Sequence, residues 1–353
     1  MGSGADMIGS GLTRRHALRA AAALGSFAII GRARAAKPFT PSDSLVEAAR
    51  KEGKIVLYTA TFVEVEQEVV NEFRKRFPFI RVEMIRAPGG QLITRVKTEV
   101  AAGRLAADVL LHSDRGLTKG IEHIFADYAP PNAADYLPES LVSPKLWPNL
   151  TAGWCIAYNT ELVKNPPKTW MDLTKPEYGD GQIAQVIGQS GGTTWTRIMF
   201  ERQVLGEDYW ERQAATKPRL FPSGAPLSDS LVRGEVSIAP LVYNIVYPKQ
   251  RDGAPVKTFF PPEGVPIVPY GSGIPKTAQN PNAARLYMDW LLSEEGQIFG
   301  IKQHGNLTSL KVAPLLPEGF AKDTKVWVPK FAEFEALYGT WIEEWNKVYG
   351  YRQ

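Results

Sequence analysis

The chain has a single cysteine, Cys155, in 353 residues. No intramolecular disulfide can form, and a zinc cluster of thiolates is excluded. Cys155 sits in the apolar stretch Gly153-Trp154-Cys155-Ile156-Ala157-Tyr158, where a thiol is expected to be buried and inert. Histidine is scarce as well, four in all, and none belongs to an HExxH pair, so a zinc hydrolase is not indicated. Neither the GxGxxG fingerprint nor a Walker loop occurs, and no cofactor is implied. No stretch is long and apolar enough to span a bilayer. Net charge is missing too once the N-terminus is set aside. Five of the 41 basic residues fall in the first 36 positions, against one of the 37 acidic ones, so the remainder balances to zero. A basic nucleic-acid-binding surface is therefore not expected. There is no internal repeat and no low-complexity tract.

What is present begins with Thr13-Arg14-Arg15, an apolar run from Ala20 to Ile30, and the small-residue pattern Ala33-Arg34-Ala35. The run is too short to cross a membrane. Together these read as a twin-arginine-type export signal over 1–36, with a mature protein beginning near Ala36 or Lys37 and a periplasmic destination.

The mature chain reads as α/β. A helix is expected over 44–51, closed by Gly53, followed by a strand over 54–58 whose continuous apolar character suits burial on both faces. Thr59-Ala60-Thr61 turns the chain into a helix with Val65, Val69, Val70 and Phe73 on one face, ending near Phe77-Pro78. A strand over 80–85, a turn at Ala87-Pro88-Gly89-Gly90, a helix over 91–102 and a strand over 107–111 complete a βαβαβ unit. His112-Ser113-Asp114 lies at the end of its third strand. Proline then breaks the pattern at 130–131 and 144–148. Strands are expected over 154–158, 182–187, 236–242 and 267–270, with helices over 193–205, 228–233 and 283–296, the last stopping at Gly296. An aromatic-rich helical tail follows over 330–351. Two α/β units joined by proline-rich crossings imply two lobes, with ligand bound beyond the carboxyl ends of the strands.

Gly188-Gln189-Ser190-Gly191-Gly192 is the most informative stretch. It fits G-x-S-x-G, the nucleophile elbow, with a strand before it and a helix after it. His304 follows Ser190 with Asp289 between them, so a serine hydrolase is a remote alternative. His112 and His123 come too early, and there is no HGG-type oxyanion loop. The same context also builds an anion cradle. Gly191-Gly192 lets a ligand approach the unpaired amides at a helix N-terminus, and Ser190, Thr193 and Thr194 add hydroxyl donors. Gly89 and Gly90 offer a second terminus with Arg86 beside it, a residue able to grip a carboxylate or phosphate with two parallel bonds. Ser223 offers a third turn.

Several stretches resemble the ferric-type solute-binding proteins of ABC importers: 55–58, Phe73-Arg74-Lys75-Arg76-Phe77-Pro78, Ala107-Asp108-Val109, 153–159, Ser190-Gly191-Gly192-Thr193 and Gly234-Glu235-Val236. So does Gly273-Ile274-Pro275-Lys276, followed by the 283–296 helix with Ser293-Glu294-Glu295-Gly296-Gln297. The matches run in order from about 54 to 300. The resemblance implies a two-lobe type II periplasmic-binding-protein-like fold, with mixed, mostly parallel sheets and hinge strands. It also implies delivery of a ligand to an ABC permease with its ATPase. Iron binders of that family carry adjacent tyrosines after the strand that is 236–242 here. This chain reads Tyr243-Asn244-Ile245-Val246-Tyr247, and the pair falls at Asn244 and Ile245. The family's early histidine is replaced within Thr59-Ala60-Thr61. Asp114 falls near a family metal-ligand position, so Asp114, Tyr243 and Tyr247 are the candidates for ferric ion, the alternative reading. Other branches bind organophosphates, phosphonates, thiamine or carboxylates, and those fit this chain better.

The expected division is a signal over 1–36, a first lobe over 37–150 and 264–312, a second lobe over 151–263, and a helical tail over 313–353. The expected protein is a monomer without catalytic activity that closes on a small anionic solute. Its binding residues are drawn from Thr59, Thr61, Arg86, Gly89, Gly90, Ser113, Asp114, Ser190–Thr194 and Ser223. Tyr243, Asn244, Tyr247 and Tyr270 frame the rest of the ligand.

Overall fold

Ser42 opens the first helix, α1 (Asp43–Glu52), by accepting a hydrogen bond from the Leu45 amide at 3.3 Å, and Gly53, at φ 68°, closes it. The computed structural model describes residues 37–112, 118, 120–136, 140–307, 310, 319–320 and 324–352. The expected export signal over 1–36 lies outside them, as do Ser113 and Asp114.

Strand β1 (Lys54–Thr59), helix α2 (Val63–Arg76), strand β2 (Arg81–Arg86), helix α3 (Gly89–Ala101) and strand β3 (Val109–His112) form the expected βαβαβ unit. β1 lies between β2 and β3, parallel to both. Its apolar run follows from its position. Ile55 and Leu57 pack with α1 and α2 on one face, while Val56 and Tyr58 pack with Leu92, Ile93 and Val96 of α3 on the other. α3 starts two residues earlier than its pattern suggests, so Gly89 and Gly90 belong to its first turn.

Strand β4 (Trp147–Asn159) departs most from expectation. Proline at 144–148 suggested a break before a strand at 154–158, yet β4 runs unbroken for 13 residues. Pro148 is tolerated because the register with its partner slips between Pro148 and Leu150, where no ladder donor is required. Beyond it come β5 (Ala184–Val186), α4 (Gly192–Val204), α5 (Tyr209–Ala214), β6 (Arg219–Phe221), α6 (Gly224–Val232), β7 (Ile238–Val242), α7 (Tyr243–Arg251), β8 (Val256–Phe259) and β9 (Val265–Gly273).

β4 and β9 tie the molecule together. The first half of β4 pairs antiparallel with β9, and the end of β9 pairs with β3. The second half of β4 pairs with β7 on one side and β8 on the other. β5 and β6 pair in parallel, and an isolated bridge from Ile183 to Ile238 joins them to β7. Two α/β lobes with mixed sheets therefore share two crossing strands.

The helix expected over 283–296 is two helices, α8 (Pro281–Leu291) and α9 (Glu294–His304). Ser293 caps α9 by accepting from the Gly296 amide at 3.2 Å. Gly296 is not a stop. A Cβ there would lie 2.4 Å from the Trp290 carbonyl, so the glycine permits the tight corner between the helices. A short strand, β10 (Val326–Trp327), pairs with β9, and helices α10 (Phe331–Ala336) and α11 (Tyr338–Val348) form the tail. Ile342 and Trp345 of α11 are buried with Trp195, Ile198 and Trp210, and the Trp195 indole donates to the Phe334 carbonyl at 2.8 Å. Cys155 is fully buried in β4, and burial pushes its thiol far above the ordinary range.

Candidate functional site

In an α/β lobe each strand ends where the next helix begins, so helix N-termini gather at one edge of the sheet. Here that edge borders a cleft of about 340 Å³ between the two lobes. Five helices present their N-termini to it. Their N-cap residues are Phe62 for α2, Pro88 for α3, Gly191 for α4, Ser223 for α6 and Val242 for α7. All five caps line the cleft, and none of them makes a side-chain capping hydrogen bond. Each of these N-termini therefore brings the partial positive charge of its helix to the cleft.

The cradle at α4 is built by glycine. Gly188–Ser190 forms a single 3₁₀ turn after β5, and Gly191 then adopts φ 136°, ψ −178°, a conformation essentially reserved for glycine. A Cβ at Gly191 would meet nothing within 4 Å, so the residue is dictated by backbone conformation and not by crowding. The Thr193 carbonyl accepts from the Trp154 indole at 3.0 Å, which fixes the first turn of α4 to β4. The Thr193 and Tyr270 hydroxyls are hydrogen-bonded at 3.3 Å, joining that turn to β9. Behind Trp154 the buried Arg197 guanidinium lies 5.3 Å from the ring centroid and is paired with Glu201. Burial pushes the Glu201 carboxyl above its ordinary range against the pull of Arg197.

Across the cleft, Arg86 at the end of β2 donates from Nε to the Thr61 carbonyl at 3.2 Å, which holds its guanidinium at the rim. Among the described lining residues Arg86 is the single charged side chain; no carboxylate and no histidine lines the cleft.

Of the residues singled out in the sequence, the cleft brings together Arg86, Gly89, Ser190, Gly191, Gly192, Thr193, Thr194, Ser223 and Tyr270. Others lie elsewhere. Thr59 is buried and its hydroxyl donates to Glu66 at 3.0 Å. Thr61 turns its hydroxyl inward, and Gly90 is exposed on the outer side of α3. Tyr243, Asn244 and Tyr247 belong to α7, which carries them to α9. Tyr243 packs on Tyr247 and Phe260, Asn244 donates to Asn306, and the Tyr247 hydroxyl donates to the Lys302 carbonyl at 3.2 Å. No helix was expected after β7, so this turning away was not foreseen. His304 does not line the cleft; it is buried at the end of α9, with Nε2 3.8 Å from Glu68.

Sequence reasoning missed Trp154, Phe62, Ile245 and Gln189, which also line the cleft. Gln189 lay inside the very stretch that drew attention. Both polar atoms of its amide are buried without a hydrogen-bond partner. The signal for Trp154 was its place on the strand entering the second lobe, and Phe62 could have been found only by recognising it as a helix cap.

Two α/β lobes sharing two crossing strands, with a helix-ringed cleft between them, define the class of binding proteins. The chain belongs to the bacterial extracellular solute-binding protein family, whose model matches residues 59–298. An uncharacterized protein of Haemophilus influenzae is 35% identical over 153 residues, 42% of this chain and 44% of that protein. The chain thus spans less than half the length of the curated relative it matches. The fold is similar to that of the periplasmic binding protein AfuA from Actinobacillus pleuropneumoniae, solved with exogenous fructose-6-phosphate bound. The TM-score is 0.69 at 22% identity, covering 85% of this chain and 100% of that one. It is also similar to iron-bound HitA from Pseudomonas aeruginosa, with a TM-score of 0.63 at 19% identity, covering 84% and 98%. No helix among the described residues is long and apolar enough to cross a membrane.

Proposed function

We propose that this protein is the periplasmic solute-binding component of an ABC importer, exported through a twin-arginine-type signal. It captures a small anionic solute between its lobes and hands it to a permease with its ATPase. The observation that carries the anionic reading is the convergence of five uncapped helix N-termini on a cleft that holds Arg86 and, among the described residues, no carboxylate. Each charge–dipole contact contributes about 0.3–1 kcal/mol when exposed and up to about 2 when partly buried. Several such contacts, acting together with a charge-assisted bond from Arg86, are needed for micromolar binding, about −8 kcal/mol. An organophosphate, phosphonate or carboxylate has the acceptor oxygens this donor set requires.

The lobes are assigned as 37–150 with 264–312, and 151–263, with a tail over 313–353 whose helix α11 packs on Trp195, Ile198 and Trp210 of the second. Binding works by closure. Arg86 and Gly89 stand on one side, Ser190–Thr194 and Ser223 on the other, and one ligand satisfies both only when the cleft is shut. No covalent step is involved. Ser190 acts as a hydrogen-bond donor, since no histidine stands beside it among the described lining residues. The ferric alternative is less favoured because Tyr243 and Tyr247 face α9 and not the cleft.

A thermal-shift screen of the exported protein against sugar phosphates, phosphonates, carboxylates and ferric salts tests the reading. A raised midpoint with an organic anion is expected. A shift with ferric ion alone, accompanied by a coloured phenolate complex, refutes it. Hydrolysis of acyl esters that disappears in Ser190→Ala refutes the binding role itself.

A further inference from the structure

Below the cleft lies a polar cluster that ligand capture does not use. Glu66, in the first turn of α2, is 3% exposed. The Thr59 hydroxyl donates to its Oε2 at 3.0 Å and the Tyr287 hydroxyl to its Oε1 at 3.1 Å. Beside Glu66 is a small cavity of about 20 Å³, whose polar lining is Thr61, Glu66, Asn149 and Asn306. Asn149 Oδ1, on a residue 6% exposed, has no hydrogen-bond partner; Thr61 Oγ1, on a residue 2% exposed, interacts with the Glu66 carboxyl but makes no hydrogen bond of good geometry. The Asn149 backbone carbonyl is already taken by the Gln297 amide at 2.9 Å, and Asn306 Oδ1 accepts from Asn244.

We propose that this cavity is a binding site for one internal water molecule, which donates to Asn149 Oδ1, bonds the Thr61 hydroxyl and has Glu66 as its third partner. A buried polar group left unpaired costs about 1–3 kcal/mol. A water requires roughly 10–15 Å³ of accessible space and two to four polar partners, and this cavity supplies both. A metal cation fits worse. It would need about six oxygen ligands and an ionised carboxylate, whereas burial raises the Glu66 carboxyl and favours its neutral form. The water has a structural consequence. The Thr61 carbonyl is the acceptor that holds Arg86 at the cleft rim, and Asn149 lies on crossing strand β4. One water therefore links the cleft arginine's support to the hinge.

The test is a crystal structure of the whole protein at a resolution that shows ordered water. The wild type should have one peak in the cavity, about 2.7–3.2 Å from Thr61 Oγ1 and Asn149 Oδ1. Thr61→Ser should keep the peak and Thr61→Val should lose it. An empty wild-type cavity overturns the proposal, as does a peak with five or more oxygens at about 2.3–2.6 Å, which marks a cation. Should Thr61→Val not fold, the wild-type map decides by itself. In solution, oxygen-17 relaxation dispersion should register one fewer long-lived water in Thr61→Val than in Thr61→Ser; equal values overturn the proposal.

Discussion

At the scale of single residues, conformation and charge at the cleft give separable effects. Gly191 holds a backbone geometry that costs a side-chain-bearing residue about 1–3 kcal/mol, and the space around its missing Cβ is open. Gly191→Ala should therefore lower stability by that amount in urea unfolding; an unchanged midpoint would show that the φ of 136° is not required. Arg86 is exposed and forms no ion pair among the described residues. Arg86→Ala should leave stability within about 0.5 kcal/mol. It should weaken binding of the anionic ligand by tenfold or more, because a hydrogen bond to a charged group is worth about 1.5–3 kcal/mol. Calorimetric titration checks this, and equal affinity removes Arg86 from the site. Gln189 buries an amide without partners, so Gln189→Met should stabilise the ligand-free protein by about 1 kcal/mol or more. A lower melting temperature would mean that the amide is satisfied in solution.

At the scale of elements, the end of α9 places a histidine where two effects oppose each other. A helix C-terminus favours a protonated imidazole by up to about 2 kcal/mol. Burial of His304 wins, with the Arg251 charge adding to it, and the pKa falls to about 4 from the ordinary 6.5. The unfolded chain then takes up a proton between pH 6.5 and 4 that the folded protein refuses, so stability falls as the pH drops through that window. The loss is on the order of 3 kcal/mol at most. His304→Gln should flatten the acid side of the stability profile measured by denaturant unfolding, and an unaltered slope would mean that His304 protonates freely when folded. The elements also show where local reading fails. α1 was legible because Gly53 closes it, and β1 because an all-apolar run implies two covered faces; the Ser42 cap, which starts α1 one residue earlier than expected, was not read. β4 was cut short because proline ordinarily ends a ladder, and only its pairing with β9 reveals the register slip that admits Pro148. The α8–α9 corner was read as one helix because Gly296 resembles a stop signal until its packing on the Trp290 carbonyl is seen.

At the scale of the whole molecule, the shared strands β4 and β9 would make the proposed lobe closure a bending of two continuous segments. Saturation with an organic anion should reduce the radius of gyration in small-angle scattering. At one hundred times the dissociation constant it should also raise stability by about 2.7 kcal/mol. A bound ligand that leaves the radius unchanged would rule out closure. The sequence by itself determined the α/β alternation, the glycine-built turn before α4 and the isolation of Cys155, since these depend on local periodicity, backbone conformation and composition. Only the tertiary structure decided which termini meet. Five N-caps far apart in the chain line one cleft because the sheet aligns the carboxyl ends of its strands. Tyr243, Asn244 and Tyr247 are carried away from it because α7 begins at once after β7 and turns them to α9. Glu66 lies outside the apolar face read for α2, and nothing local marks it as buried; its donors, Thr59 and Tyr287, come from 7 and 221 residues away. Proximity across such separations is set by packing, which no short window of sequence contains.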